Sequence, residues 1–300
     1  MINKTLYNIF QQGSRTYFYS SLFFPTKQKK DVFTLYGFVR KTDNYVDHIP
    51  QKINEFYEFK NKYQQAINGK KTDDLVIKHF IELINKKQFQ KEWIDSFLDS
   101  MEMDITKKTY KNLRETLQYI HGSAEVIGLM MAKILNLNEE AYHYAKYLGR
   151  AMQYINFIRD INEDNKLGRI YFPQADLQKH KLKSLEYSYT KEHPEQFKNF
   201  IHQQLEKYCK WQETAEKGYK YIPKRHLIPI KTASEMYHWT AEQIYKNPFI
   251  IYQNKVKPKI IHILKTTSLN IIDPHKHNHN INTCLLPKTY KQPIPLKDKY

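Results

Sequence analysis

The sequence predicts a mostly α-helical protein organised as a single large domain. Gly accounts for only 8 of the 300 residues, and neither Gly nor Pro recurs between short alternating runs as an all-β fold requires. Three long stretches, 26–48, 109–135 and 138–164, instead repeat their apolar residues with the period of a helix. The sequence has no internal repeat of fixed period, so a solenoid is not indicated. A chain of this length can bury a substantial core. The predicted fold class is therefore all-α.

Local signals predict where several helices begin. The predicted starts lie near Thr26, Thr72, Thr109 and Pro194. The segment 68–74 (NGKKTDD) is expected to be a loop. Gly122 lies inside a helical stretch, where it costs roughly 1 kcal/mol relative to Ala. We therefore expect a packing reason for this glycine.

The chain divides into a helical domain, residues 1–270, and a polar tail, residues 271–300. The tail contains four prolines among polar residues, so we expect it to be poorly ordered. Its HKHNHN run places His275, His277 and His279 close together, a pattern that metal-binding segments also use. A solvated tail is the favoured interpretation of this run.

The formal net charge of +17 suggests an anionic partner, and the three classes to consider are nucleic acid, a membrane surface and a small polyanion. The lysines are scattered, and zinc-finger spacings and RNA-binding aromatic motifs are absent from the sequence. We therefore expect a solvated lysine-rich surface and no nucleic-acid partner. Two cysteines are too few for a disulfide framework, and the N-terminus has no apolar signal core. The expected location is cytoplasmic, with peripheral contact to an anionic membrane as a further expectation.

Polar residues follow one line of the apolar stretch around residues 149–164. Asp160 and Asp164 are one helical turn apart, and Asn156, Gln153 and Gly149 extend the same line backwards. Met152, Ile155, Phe157, Ile158 and Ile161 occupy the other sides. A polar stripe on a buried helix is costly unless it lines a filled cavity. The spacing therefore predicts a binding cavity.

A second polar line occurs in LYGFVRKTDNYVDHIP, residues 35–50. Tyr36, Arg40, Asp43 and Asp47 share one helical face. A like-charged pair at this spacing is unfavourable by about 0.2–0.5 kcal/mol, and a divalent cation removes that cost. Carboxylate oxygens with open positions for phosphate suit Mg²⁺.

A third pair, Asp95 and Asp99, has the same spacing but no aligned arginine or amide. We expect this pair to lie on a solvated face. Ordinary ion pairing with Arg40 and Arg159 is the alternative interpretation of the first two pairs.

Arginines lie close to both acidic lines. Arg40 precedes the first, and Arg159 and Arg169 flank the second. Guanidinium groups bind phosphate oxygens in a bidentate manner, so metal and arginine together favour binding and release of a diphosphate. A carbocation left behind needs a dry pocket with aromatic faces, which Tyr17, Phe18, Tyr36 and Tyr237 would provide, although core packing is the default interpretation of any one of them.

At these motifs the sequence resembles the squalene/phytoene synthase family of head-to-head prenyltransferases. The resemblance covers about residues 6–265. It rests on SRTYFYSSLFFP (14–25), LYGFVRKTDNYVD (35–47), YIHGSAEVIGLMM (119–131) and LGRAMQYINFIRDINEDNKLGRIYFP (148–173). It implies the isoprenoid synthase fold, a single helical domain around a central substrate cavity. It also implies that two prenyl diphosphates are joined through a cyclopropyl intermediate.

The resemblance assigns roles residue by residue. The implied Mg²⁺ ligands, with Mn²⁺ as an alternative ion, are Asp43, Asp47, Asn156, Asp160 and Asp164. The implied substrate-binding residues are Ser14, Arg15, Thr16, Tyr17, Tyr36, Arg40, Gln153, Arg159, Arg169 and Tyr237. The four aspartates and Tyr171 are the implied catalytic residues. Ile120, His121 and Glu125 depart from the commoner residues of the family, which leaves the local shape of the pocket open.

The motifs favour a phytoene synthase that uses two geranylgeranyl diphosphates and no NADPH. The alternative within the family is an enzyme that makes squalene or dehydrosqualene from farnesyl diphosphate. A non-catalytic relative would be expected to have lost the aspartates, and all four are present. A nucleic-acid-binding module is the alternative based on charge, and steep salt dependence of duplex binding would identify it.

Overall fold

The protein is described by a computed structural model in which residues 2–274 are placed. Helices form nearly all of its regular structure, which confirms the predicted all-α class. The α-helices are α1 Lys4–Gly13, α2 Arg15–Ser21, α3 Thr26–Asp47, α4 Ile53–Ile67, α5 Leu75–Lys87, α6 Lys91–Thr106, α7 Leu113–Ile120, α8 Val126–Ile134, α9 Tyr142–Arg159, α10 Ile161–Lys166, α11 Gln174–Lys179, α12 Tyr187–Thr190, α13 Pro194–Glu216, α14 Lys224–Lys246, α15 Ile250–Gln253 and α16 Ile260–Ile272. Short 3₁₀ helices span Glu139–Ala141 and Lys217–Tyr221, and a π-helix spans His121–Glu125.

The predicted helix starts are met at two positions and missed at two others. α3 begins at Thr26 and α13 at Pro194, as predicted. α5 begins three residues after Thr72, because Asp74 caps it by accepting hydrogen bonds from the Val76 and Ile77 amides.

The start predicted at Thr109 is wrong. Thr109–Tyr110 forms a strand, β1, that pairs in parallel with β2, Ile170–Pro173. Helix α7 follows β1, with Asn112 as its N-cap. The short strand pair ties the start of α7 to the segment that follows the second acidic line.

Gly122 has the packing reason that the sequence predicts. It lies in the π-helix between α7 and α8, where a Cβ atom would be 2.0 Å from the Ser96 carbonyl oxygen of α6. Gly149 of α9 makes a similar close approach to the π-helix, since a Cβ atom on Gly149 would lie 2.3 Å from the Ala124 carbonyl oxygen. Both glycines therefore let neighbouring helices approach closely beside the cavity.

The stretch predicted as one helix over 138–164 is divided at Asp160. This residue has φ −100° and ψ 13°, and it separates α9 from α10. The Asp164 amide still donates to the Asp160 carbonyl oxygen at 2.8 Å. The two aspartates therefore remain one turn apart, as the sequence predicts.

Two hydrophobic clusters form the interior. The first is centred on α3 and its neighbours α1, α5 and α6, and the second on α9, α13 and β2. The Tyr17 side chain packs against both clusters. The acidic lines of α3 and α9 therefore belong to different halves of the core and meet at a cavity between them.

α16 ends at Ile272, and residues 275–300, with most of the predicted tail and its histidine run, lie outside the described residues. Between residues 2 and 274, no helix has the length and apolar composition that crossing a bilayer requires.

Candidate active site

A cavity of about 430 Å³ separates the two halves of the core. Fifteen of the sixteen residues predicted for the site line it. They are Ser14, Arg15, Thr16, Tyr17, Tyr36, Arg40, Asp43, Asp47, Gln153, Asn156, Arg159, Asp160, Asp164, Tyr171 and Tyr237. Arg169 is the exception and lies behind the acids. The structure thus brings both acidic lines into one space, as their spacing predicts.

On α3, Asp43 pairs with the arginine of its own line. The Arg40 Nη1 atom lies 2.5 Å from Asp43 Oδ2. Burial and the nearby Asp47 carboxylate raise the pKa of Asp43 to about 7, although Arg40 acts in the opposite direction. Without a further cation, the charged form of Asp43 is therefore less favourable than that of an exposed aspartate.

On the opposite wall, Asp160 and Asp164 have contrasting environments. Burial alone would raise the pKa of Asp160, but the Arg159 guanidinium, which donates through Nε at 2.8 Å, holds it below its usual range. Burial raises the pKa of Asp164 well above its usual range, and the neighbouring Asp160 and Asp47 act in the same direction. Asp160 is therefore neutralised by the protein itself, whereas Asp164 is left short of positive charge.

Arg169 organises the acids from behind the cavity. Its side chain is 2% exposed; Nη1 donates to Asp47 Oδ1 at 2.9 Å and Nη2 to the Val46 carbonyl oxygen at 2.5 Å. Nη1 also contacts the Tyr171 hydroxyl at 3.2 Å. Arg169 therefore positions Asp47 and Tyr171, and its contact with substrate stays a prediction.

Asp104 of α6 is a cavity residue that the sequence reasoning missed. It accepts hydrogen bonds from the hydroxyls of Tyr119 and Tyr171, both at 2.7 Å. Burial raises its pKa to about 6, against the lowering effect of Arg169. An acid thus lies beneath Tyr171 and fixes the direction of its hydroxyl.

A signal for Asp104 exists in the sequence. Trp93, Phe97, Ser100 and Asp104 follow one another at spacings of four, three and four, and all four are buried. Asp104 is therefore the acid on the apolar face of α6. Asp95 and Asp99 attracted attention by their spacing, but their side chains are 42% and 71% exposed and pair with lysines, as predicted for a solvated face.

Two lysines from the segment before α16 add positive charge beside the acidic residues of the cavity. Lys255 Nζ lies 3.5 Å from Asp160 Oδ1 and 3.0 Å from Glu163 Oε1. Lys257 lines the cavity. Burial and the neighbouring Lys255 and Arg159 lower the pKa of Lys257. Sequence reasoning counted both as scattered surface lysines, because about 90 residues separate them from Asp164.

The residues present fit a divalent cation bound jointly with an anionic ligand. The buried Asn156 Oδ1 atom lines the cavity without a hydrogen-bond partner. An oxygen of this kind beside carboxylates is a suitable ligand for Mg²⁺. Within residues 2–274, no three His, Cys, Asp or Glu side chains gather closely enough to hold a metal by themselves.

The rest of the cavity wall is apolar and aromatic. Tyr17 and Tyr237 approach with ring centroids 5.5 Å apart, and Tyr36 stacks on Phe10 at 3.8 Å. Below them the wall continues with Val32, Leu35, Ile127, Met131, Leu135, Ile222 and Ile230. One end of the cavity therefore suits an anion and the remainder a hydrocarbon chain.

The family model for squalene/phytoene synthases matches residues 10–261. The chain belongs to the squalene/phytoene synthase family. A 4,4′-diapophytoene synthase of Staphylococcus haemolyticus is 28% identical over 57% of this chain and 62% of its own length. A chloroplastic phytoene synthase of an Oncidium hybrid cultivar is 24% identical over 80% of this chain and 60% of its own length. The chain thus spans about three-fifths of the length of these two relatives.

Solved structures of the family show the same fold. A squalene synthase from Alicyclobacillus acidocaldarius superposes with a TM-score of 0.72 and 19% identity, over 81% of this chain and 93% of its own. The helices therefore form the isoprenoid synthase fold.

Glu125, which departs from the commoner family residue, does not line the cavity; it accepts a hydrogen bond from Arg150 Nε at 2.6 Å and contacts His121 at 3.0 Å. It therefore ties the π-helix to α9.

Proposed function

We propose that this protein is a Mg²⁺-dependent prenyltransferase that joins two geranylgeranyl diphosphates head to head to form phytoene. One observation carries the proposal: both acid pairs and the unpartnered Asn156 oxygen line a cavity whose remaining lining is mostly apolar and aromatic. A prenyl diphosphate has the matching distribution of charge and hydrocarbon. Family membership supports the same reaction type.

The basic side chains at the cavity would bind the diphosphate groups. Arg40 and Arg159 supply guanidinium groups, and Lys257 adds an ammonium group at the same end. Asp43, Asp47, Asn156, Asp160 and Asp164 would hold Mg²⁺. When bound, Mg²⁺ supplies positive charge that stabilises the leaving diphosphate.

The chemistry balances without a redox cofactor. In the first step a carbon–carbon bond and a cyclopropane ring form as one diphosphate and one proton leave. In the second step the remaining diphosphate leaves, the ring rearranges to a carbon 1–carbon 1 linkage, and loss of another proton gives phytoene. The protein would contribute aromatic faces and exclusion of water, since Tyr17, Tyr36 and Tyr237 surround the apolar part of the cavity.

Asp104 would keep the Tyr171 hydroxyl in a fixed orientation at the cavity in which the substrate loses its protons. The Tyr171 hydroxyl donates to Asp104 and accepts from Arg169, so its orientation is fixed before substrate binds. Such preorganisation is the contribution that a static hydrogen-bond network makes to catalysis.

A second candidate uses farnesyl diphosphate and makes a C30 product. It is favoured by the relative of S. haemolyticus, whose identity to this chain is higher than that of the Oncidium phytoene synthase. Both candidates share the cavity residues and differ in the chain length that the apolar wall accepts.

One assay separates the candidates. The purified protein is incubated with Mg²⁺ and either the C15 or the C20 diphosphate, with and without NADPH, and the hydrocarbon products are identified by mass spectrometry. We expect phytoene from the C20 substrate, independent of NADPH. A C30 product formed in preference would establish the second candidate, and no condensation product from either substrate would contradict both.

A further inference from the structure

α16 presents its apolar side chains outward and its polar side chains inward. Ile261, Leu264 and Ile272 lie within one helical face and are 76%, 43% and 76% exposed. The opposite face buries Thr266, Thr267 and Asn270, together with Ile263. This is the reverse of the pattern of an ordinary surface helix, whose apolar stripe packs against the core.

The outward face holds most of the exposed large apolar side chains in the described part of the chain. Nine such residues occur between residues 2 and 274, and five of them belong to the thirteen residues of α16: Ile261, Leu264, Leu269, Ile271 and Ile272. Scattered exposed hydrophobic residues are normal, whereas a contiguous set on one helix marks an interaction surface.

Polar contacts, rather than apolar burial alone, hold α16 on the protein. Asn270 Nδ2 donates to Glu235 Oε2 at 2.6 Å and to Thr232 Oγ1 at 3.2 Å, both on α14. Because these bonds are buried and specific, they fix which face of α16 points outward. The outward position of the apolar face is therefore fixed by the fold, and it does not result from a rotation of α16 about its own axis.

The charge around this face is positive. Lys259 is exposed just before the first turn of α16, and Lys265 is exposed within the outward face, one turn from Ile261 and Leu269. The sequence has no Asp or Glu from residue 243 to residue 272. The sequence of residues 275–300 contains five lysines, at 276, 288, 291, 297 and 299, and one acid, Asp298. An apolar face that carries one lysine and has another at its start matches a bilayer with anionic headgroups, because apolar side chains insert while the long lysine side chains reach the headgroups.

We propose that the outward face of α16 docks the protein onto an anionic lipid surface. α16 packs against α2 and α14, which carry Tyr17 and Tyr237, and Lys257 of the cavity wall lies three residues before its start. Docking by this face therefore places the cavity beside the lipid. Such a placement would let a prenyl chain pass from the lipid into the cavity, and this consequence rests on the proposed function. The docking itself does not rest on it.

Co-sedimentation of the full chain with vesicles tests the proposal. Ile261→Ser combined with Ile272→Ser should lower the partition coefficient onto phosphatidylglycerol-containing vesicles at least about tenfold. Lys259→Gln and Lys265→Gln should each lower it about fivefold, with no effect on neutral phosphatidylcholine vesicles. The matched control is Ile53→Ser combined with Tyr187→Ser, which removes exposed apolar side chains elsewhere and should leave binding unchanged.

Trp239 provides a reading of where the lipid lies. Its ring centroid is 5.7 Å from that of His262 on α16, and it is partly exposed, whereas Trp93 and Trp211 are buried. Brominated lipids should quench its emission, and Trp239→Phe should abolish that quenching. Loss of vesicle binding in the α16 variants with normal turnover of detergent-dispersed substrate would separate docking from catalysis.

Three results would overturn the proposal. They are an absence of vesicle binding at low salt, binding that is insensitive to both the apolar and the lysine substitutions, and a change in self-association, measured by light scattering, in place of lipid binding. The second is the outcome expected if residues 275–300 cover the face. The third is the outcome expected if a second copy of the chain covers it.

Discussion

Asp43 and Asp160 are both proposed metal ligands, but the protein prepares them differently. Asp43 is destabilised as a carboxylate by burial and by Asp47, whereas Asp160 is paired with Arg159. Asp43→Asn and Asp160→Asn should each reduce product formation by orders of magnitude. In the absence of metal, Asp43→Asn should leave the melting temperature equal or higher, because burial and Asp47 outweigh its pairing with the more exposed Arg40. Asp160→Asn should lower it, because the more deeply buried Arg159 loses its partner. Steady-state assays and thermal melts of the apo proteins measure both effects.

Asp95→Asn is the matched control, because Asp95 has the same spacing to Asp99 but pairs with Lys91 at the surface. It should change neither turnover nor stability appreciably. Near-normal turnover in a folded Asp43 or Asp160 variant would contradict the assigned chemistry, as would a large loss in the control.

Asp104 predicts a pH dependence of stability. Its folded-state pKa of about 6 lies above the unfolded value of 3.8, so the folded state binds the proton more tightly. Stability from this group is therefore fully present at low pH and declines as pH rises from about 4 to about 6, by roughly 3 kcal/mol in total. Asp104→Asn should be less stable than the wild type at pH 4.5, because it keeps one acceptor oxygen and places an NH2 donor against the other tyrosine hydroxyl, but its decline between pH 4.5 and 7 should be shallower. Parallel declines, measured by denaturant unfolding at both pH values, would rule out this role.

Ser21 predicts selectivity for chain length. It lies one turn from Tyr17 on α2, and both line the cavity. Its side chain is 3% exposed and donates to the Phe18 carbonyl oxygen at 2.8 Å. Ser21→Phe would fill the wall and should depress turnover of the C20 diphosphate about 5- to 150-fold more than that of the C15 diphosphate. Equal losses on both substrates would indicate misfolding, and no loss on either would show that this position does not meet the prenyl chain.

At the scale of elements, the π-helix is the most constrained junction beside the cavity. A Cβ atom at Gly122 would lie 2.0 Å from a backbone oxygen of α6 and 2.1 Å from Ser100 Oγ. Gly122→Ala should destabilise the protein by about 1–3 kcal/mol despite its better helix propensity. Ser123→Ala is the control, because the buried Ser123 hydroxyl has no partner and its loss should be neutral or stabilising. Urea unfolding gives both values, and a stabilised Gly122→Ala protein would show that the junction relaxes.

The elements also show what the sequence can and cannot predict. The acidic lines on α3 and α9 were predictable because four-residue spacing on an apolar helix is a local signal that packing must respect. The strand at Thr109 was not, because its pairing partner, Ile170, is some sixty residues away. Lys257 was missed for the same reason, since it reaches the acids only after the whole chain has folded.

Buried polar residues follow the same rule. Asp104 was missed because a single acid on the apolar face of α6 has no spacing partner; its place on that face is a weak signal, and its contacts with Tyr119 and Tyr171 give it a role.

At the scale of the whole molecule, α16 marks the C-terminal limit of the described fold. A chain that ends at residue 274 keeps the Asn270 contacts with α14 and should retain its melting temperature and its activity in detergent. A chain that ends at residue 259 loses them along with the buried Ile263, so its melting temperature should fall by roughly 5 °C or more. Thermal melts of the two truncated chains measure this difference. A collapsed transition in the longer one would show that residues 275–300 belong to the core.

The cavity separates two hydrophobic clusters, and Tyr17 touches both. An amphiphile that fills this cavity contacts both hydrophobic clusters and so supplies packing contacts between them that the empty protein lacks. When the cavity is occupied, the two clusters should therefore unfold cooperatively. When it is empty, each cluster should undergo local unfolding more independently of the other. Supply of substrate would thereby govern the lifetime of the folded chain as well as its rate of turnover.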